Sequence, residues 1–307
     1  MRVIGVDVGG SHISAALLEG ESVLAREYVE YAPKRGRPDV ILHVAEMVNR
    51  LRSGNAQIPV GVAMAGIITQ GVVVSSPNLY LECAPVESEL RQAGVRAHLL
   101  NDANAAAFAE WYSGAGKRLP SVLCVTVGTG IGSGLVVDGK IVTGLAGRAG
   151  EIGHMLLAPE GPACSCGSRG CVESLASASA IVRRALEESK HDEVLGRALD
   201  NADRPGAREV FAAMMQGSAR ARQVVYEAAT WLGIALANVV CVVDPCCVVI
   251  GGGVAQAGDA FTRPVFSAMH AGFLGRMKQT PVLLAEHGQD AGVIGAALYA
   301  AQVEANS

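Results

Sequence analysis

His154, Cys164, Cys166 and Cys171 put one imidazole and three thiols within eighteen residues of a 307-residue chain. Zinc takes four nitrogen and sulfur ligands in a tetrahedron, and a one-histidine, three-cysteine set matches that demand. Two thiols one residue apart, with a third five residues on, do not look like unrelated buried side chains. The expected metal is a structural Zn2+, which carries no redox couple. Two carboxylates, Glu151 and Glu173, bracket the set. A metal-bound histidine usually gives its second ring nitrogen a partner, so His154 has one nitrogen to turn outward.

Two glycine turns come next. Gly9-Gly10-Ser11 and Gly128-Thr129-Gly130-Ile131-Gly132 each follow an apolar run. Glycine lets a backbone approach closely and aim successive N–H groups at an anion, so both turns suit phosphate oxygens. A pair of tight hairpin turns would read the same way. Asp7 ends an apolar run beside the first turn. Its charge there needs water, donors or a cation, and Mg2+ beside nucleotide phosphates fits as well as a turn cap. Asn101-Asp102 stand where a strand pattern meets a helix pattern. Asp102 could take a proton from a hydroxyl. Both residue types also suit an N-cap, and a helix start would hold the carboxylate ionised and weaken it as a base. Gly251-Gly252-Gly253 allow either a flat ligand face or a packing turn.

These groups need a scaffold, and the sequence repeats itself once. Val6–Gly20 and Val125–Gly139 share a spacing, with thirteen positions from Asp7 to Gly20 and thirteen from Thr126 to Gly139. Each copy reads as strand, glycine turn, strand, acidic-glycine turn, strand. No helix pattern follows either glycine turn, which argues against a dinucleotide-binding unit. Residues 37–51 and 105–112 read as helices, and 59–68 and 95–100 as strands. The chain is expected to be mainly helical over 174–240, with a long apolar helix over 224–240. Strands over 246–250 and 282–285 and a helix over 291–303 follow. Two similar α/β halves with a cleft between them are the expected architecture.

Half of the residues are apolar and 18% are charged, with a net charge of −4, so no basic surface supports nucleic-acid or anionic-membrane binding. The apolar runs are read as too broken to span a bilayer, which takes roughly 20 residues. The first residues read as a strand rather than a secretory signal, and the expected compartment is the cytoplasm. Of eight cysteines, Cys124, Cys241, Cys246 and Cys247 lie in apolar runs and are expected to be small buried hydrophobes. A reduced protein with one metal site is the reading.

With these motifs in place, the chain resembles the ROK family (repressors, open reading frames and kinases). The resemblance rests on Asp7-Val-Gly-Gly10-Ser, Pro77-Asn78-Leu79, Asn101-Asp102-Ala-Asn104 and Gly128-Thr-Gly-Ile-Gly132. It continues through Glu151-Ile-Gly-His154, the Cys164–Glu173 loop and Gly251-Gly-Gly253. It implies an actin/hexokinase-like (ribonuclease H-like) α/β fold. The domains would be a small N-terminal one over 1–115, completed by a C-terminal helix over 290–307, and a large one over 116–289 with the zinc loop at 154–171. It also implies roles. Asp102 would be the base for a sugar hydroxyl. Gly66, Asn78, Asn101, Glu151, His154 and Glu173 would bind the sugar. Asp7 would sit near Mg2+, while Gly9, Gly10, Ser11, His12, Gly128, Thr129, Gly130 and Gly132 would hold ATP phosphates. Gly252 and Gly253 would lie near adenosine. Two departures stand out. Ser11-His12 replaces the usual Thr-Lys, which puts a charge contact there in doubt, and Ala65-Gly66 replaces Pro-Gly.

The resemblance implies an ATP-dependent hexose kinase, glucose preferred, with N-acetylmannosamine or N-acetylglucosamine as alternatives. It favours a homodimer or a dimer of dimers. A sugar-responsive repressor of the same family would carry an N-terminal DNA-binding segment, for which a first strand starting at Arg2 leaves no room. A sugar-binding protein without catalysis is the third reading.

Overall fold

Val3, Ile4, Val6 and Val8 are all buried, so the first strand is covered on both faces and reads as an apolar run rather than an alternation. The computed structural model describes residues 1–31, 38–276 and 279–306. These divide into two units, one of Met1–Cys124, Gly134–Gly150 and Glu286–Ser307, the other of Val125–Ser133 and Glu151–Ala285.

In the first unit, β1 (Arg2–Val8), β2 (His12–Glu19) and β3 (Ser22–Glu30) form the expected antiparallel meander. Helix α1 (Pro38–Arg52) follows; Arg37, where the sequence pattern starts it, lies outside the described residues. Strand β4 (Val60–Met64) stops before Gly66 rather than running to Ile68. A small antiparallel sheet of β5 (Ile67–Thr69), β6 (Val72–Ser76) and β7 (Leu81–Ala84) then intervenes. The sequence pattern does not separate it, because its strands are short and only half-buried. Next come α2 (Val86–Gln92), β8 (His98–Asn101) and α3 (Asp102–Tyr112).

The main sheet of this unit has the order β3-β2-β1-β4-β8. Strands β1, β4 and β8 are parallel, with Val8 level with Met64 and Met64 level with Asn101. Their C-terminal ends therefore finish abreast, the edge at which parallel α/β sheets place ligand sites. Side chains from α1 and α2, including Val44, Met47, Val48 and Leu90, cover one face against Ile4, Val6, Val60 and Val62. The last helix covers the other.

The chain passes between units inside β9 (Ser121–Val127) and β10 (Ile131–Val137); β11 (Lys140–Ile141) completes the second meander. The second unit carries α4 (Val172–Ala176), α5 (Ala178–Glu188), α6 (Glu193–Asp200), α7 (Ala207–Met215) and α8 (Ala219–Val243). It ends with β12 (Cys247–Gly251), α9 (Asp259–Met269) and β13 (Val282–Leu284). The second five-stranded sheet has the order β11-β10-β9-β12-β13. The final helix, α10 (Ala291–Ala305), belongs to the first unit and packs on β1, β4 and α3.

Two more expectations are corrected. At 25 residues, α8 is long and apolar enough to cross a membrane by length and composition alone. More than half of its most apolar stretch is buried, and it packs on α9, α4, α5 and α7, so its apolar side chains serve the core. Cys124 and Cys247 are buried as expected, but Cys241 and Cys246 are exposed. Helix periodicity turns Cys241 outward, and Cys246 precedes the buried strand. All eight cysteines are free thiols.

Candidate active site

The first unit gathers a group of candidate site residues at the C-terminal ends of its parallel strands. The turn after β1 is closed by a Gly9 N–H donating to the His12 carbonyl at 3.0 Å. Tyr31 N–H donates to the Ser11 carbonyl, also at 3.0 Å, and ties the turn to the end of β3. Among the described residues, the Gly10 and Ser11 N–H groups have no protein acceptor. The His12 ring stacks on Tyr28 at 5.5 Å, with its Nδ1 3.3 Å from Ser11 Oγ. Asn78, on the 3-10 turn Pro77–Leu79, lies directly beside Gly10.

Asn101 and Asp102 divide the two tasks that the sequence left open. Asn101 is the N-cap of α3: its Oδ1 accepts the Asn104 N–H at 3.0 Å, while its Nδ2 donates to the Gly66 carbonyl at 3.0 Å. Asp102 is thereby released from capping, and its Oδ1 accepts the adjacent Ala103 N–H at 2.8 Å. The helix start was expected to weaken this carboxylate as a base. Burial outweighs the hydrogen bonds and raises its pKa instead. Asp7 behaves alike: burial first, then the neighbouring Asp102 charge, pushes it up to about 7. Its carboxyl group rests against Gly292 in the first turn of α10, where an added Cβ would lie 2.8 Å from Cγ. No sequence argument singled out Gly292. The only signal was the small-residue spacing Gly292, Gly295, Ala296 in an otherwise apolar helix.

The second unit gathers a separate group of candidate residues around the turn between β9 and β10. Gly128 N–H donates to the Gly130 carbonyl at 2.9 Å, and Ile131 N–H donates to Glu173 Oε2 at 3.0 Å. The N-terminus of α5 holds the turn from its other side. Ala178 N–H donates to the Gly128 carbonyl and Ser179 Oγ to the Thr129 carbonyl, each at 2.8 Å. The Thr129 and Gly130 N–H groups have no protein acceptor among the described residues. Gly132 continues into β10. The three glycines at the end of β12 divide as well. Gly252, at φ +86°, packs so closely on Val127 that an added Cβ would lie 2.7 Å from backbone nitrogen, whereas Gly253 is open.

The cysteine loop is a hydrogen-bonded knot. Cys164 N–H donates to the Ser168 carbonyl, and Gly170 N–H to the Pro162 carbonyl. The ligand atoms of His154, Cys164, Cys166 and Cys171 lie within 4.8 Å of one another. Cys166 and Cys171 sulfurs are 3.7 Å apart, and Cys164 Sγ is 3.8 Å from His154 Nδ1. A tetrahedron with zinc–sulfur bonds of about 2.3 Å has edges of roughly 3.8 Å, so the donor set fits that ion. Hydrogen bonding from the Ser168 backbone draws the Cys166 thiol down to about 7, while burial and the neighbouring sulfurs push Cys171 up to about 12. A divalent cation is what would let all three ionise together.

With Nδ1 directed at the sulfurs, His154 Nε2 faces Glu151, 3.9 Å from Oε2. Glu151 immediately precedes the 3-10 turn Ile152–His154. Glu173 does more than the sequence suggested, since Oε1 also accepts from Ser165 Oγ at 3.1 Å. Ser165 was missed because a serine between two cysteines carries no signal of its own.

The ROK family model matches residues 3–303. The chain belongs to the ROK family. It is 33% identical to a glucokinase of Thermotoga maritima, over 97% of this chain and 96% of that protein. It is also 33% identical to an N-acetylmannosamine kinase of Escherichia fergusonii, over 98% of each. Among solved structures, a ROK glucokinase from Streptomyces griseus, crystallised with glucose and AMPPNP, superposes with a TM-score of 0.86 at 31% identity. That match covers 98% of this chain and all of the other. The ROK chain described here is a sugar kinase of the actin/hexokinase-like fold.

Proposed function

We propose that this ROK kinase transfers the terminal phosphoryl group of ATP to the 6-hydroxyl of a hexose, with glucose as the preferred acceptor. The observation that carries the reading is the division of labour at the start of α3. Asn101 caps the helix, so Asp102 is a half-buried carboxylate with raised proton affinity and no capping duty.

In the proposed reaction Asp102 accepts the hydroxyl proton as the sugar oxygen bonds to phosphorus and the bond to the leaving diphosphate breaks. A phosphoryl transfer of this kind needs positioning and charge neutralisation more than covalent catalysis. Gly66, Asn78 and Asn101 in the first unit, and Glu151, His154 and Glu173 in the second, would hold the sugar's remaining hydroxyls. Gly9, Gly10, Ser11 and His12, and Gly128, Thr129, Gly130 and Gly132, would hold phosphates. The N–H groups of Gly10, Ser11, Thr129 and Gly130 are the donors left over in the two turns, among the described residues. Open Gly253, with Gly252 setting its turn, would face adenosine. Asp7 fits a Mg2+ ion, because burial and the nearby Asp102 charge raise its proton affinity and a cation would offset both. When bound, that ion supplies charge neutralisation at the phosphates. Zn2+ at His154, Cys164, Cys166 and Cys171 would order the loop that presents His154 and Glu173.

N-acetylmannosamine is the second reading, supported by a relative of that name as similar as the glucokinase. The proposed setting is the cytoplasm, as a homodimer or dimer of dimers. ADP release measured across glucose, mannose, N-acetylmannosamine, N-acetylglucosamine, fructose and allose tests the choice. Highest kcat/KM on glucose is expected. Preference for an N-acetylated sugar would replace glucose as the substrate.

A further inference from the structure

Glu173 touches both the glycine turn and the cysteine loop of the second unit. Its Oε2 accepts the Ile131 N–H at 3.0 Å. Its Oε1 accepts the Ser165 hydroxyl at 3.1 Å and lies 3.9 Å from Cys164 Sγ. Its own backbone lies in the first turn of α4, two residues after Cys171, so the third cysteine fixes where the side chain begins. The carboxylate is packed hard against the turn: an added Cβ at Gly130 would lie 3.2 Å from Glu173 Cδ. A carboxylate offers about four acceptor sites, and the Ile131 N–H and the Ser165 hydroxyl occupy two of them, one on each oxygen.

We propose that Glu173 is a positioning residue that couples the cysteine loop to the turn Gly128–Gly132, so that nucleotide affinity depends on the loop being ordered even when no sugar is present. Loosening the loop moves Ser165 and the start of α4. The carboxylate then leaves Ile131 N–H, and the turn loses one of its two supports. The other support, from Ala178 and Ser179 on α5, is made without the Glu173 carboxylate. The coupling is therefore partial. The inference rests on the reading of this turn as a phosphate-binding one.

The test is a four-state cycle, because only non-additivity separates transmission from general loosening. AMPPNP affinity is measured by calorimetry, with Mg2+ and without sugar. Wild type and Glu173→Ala are compared, each zinc-loaded and each stripped of zinc, with the chelator removed before Mg2+ is added. Stripping should weaken wild-type affinity by roughly 5- to 10-fold, in the range of ordinary site–site coupling. Stripping Glu173→Ala should change it by less than about 2-fold, because the link is already absent. Equal losses in both proteins, or no loss in wild type, overturn the proposal. Should Glu173→Ala fail to fold, Glu173→Gln serves. Its single acceptor oxygen keeps one link, and stripping should then cost clearly less than in wild type; an equal loss overturns the proposal. Failure of zinc-loaded wild type to bind AMPPNP at all is a distinct result, which overturns the phosphate-turn reading beneath it.

Discussion

Replacing Asp7 with Asn should stabilise the first unit at high pH while crippling the enzyme. The Asp7 carboxyl has an ordinary value of 3.8 and is pushed up to about 7 by burial and by the Asp102 charge. A pKa raised on folding means that the folded state binds the proton more tightly than the unfolded one. The wild type therefore loses stability, relative to the Asn variant, as pH rises from about 4 through about 7, and loses no more above that. A rise of that size corresponds to at most about 4 kcal/mol, of which about 3 kcal/mol falls between pH 5 and pH 8. Trp111 lies on α3 in the first unit and Trp231 on α8 in the second. In a Trp231→Phe background, fluorescence thus follows the first unit alone. Urea unfolding at pH 5 and pH 8, with divalent cations chelated, should show the Asn variant gaining on wild type by up to about 3 kcal/mol at the higher pH. A difference that is the same at both pH values would mean that the Asp7 carboxyl is not raised on folding. The gain should come with loss of turnover, the usual exchange at a site built for function.

Two further outcomes follow from the same geometry. Gly292→Ala should gain about 1 kcal/mol of helix propensity, offsetting part of the crowding against Asp7, so the melting temperature should move by only a few degrees. The half-saturating Mg2+ concentration for ADP release should nonetheless rise, roughly tenfold, and unchanged Mg2+ dependence would show that the contact does not matter. Metal analysis of purified protein should find one zinc per chain, lost in Cys164→Ser. An iron or copper content would contradict the assignment from the donor set.

Much of the fold could be read because its strongest signals are local. The meanders β1–β3 and β9–β11 are spelled by apolar runs broken at glycines, and α3, α8 and α10 are long apolar stretches. The cysteine loop was legible because three thiols at that spacing, with a histidine ten residues before the first, suit a tetrahedral metal and little else. What could not be read depends on distance and burial. Asn101 and Asp102 both look like caps, and only the bond from Asn104 N–H shows which one serves. The rise in the Asp102 pKa comes from burial, which a helix-start argument cannot contain. Gly292 meets Asp7 from the far end of the chain, and Ser165 matters only because Glu173 reaches it. The apolar length of α8 is hard to read from sequence because Glu227, Thr230, Gly233 and Asn238 break the run on paper but continue the helix.

Asp102→Asn is the sharpest test of Asp102 as the base of a sugar kinase. ADP release with the best sugar is measured beside the affinity for that sugar. A positioned base contributes about 10²- to 10⁴-fold, so kcat should fall by that factor while sugar affinity stays within about threefold. Turnover within tenfold of wild type would rule out Asp102 as the base.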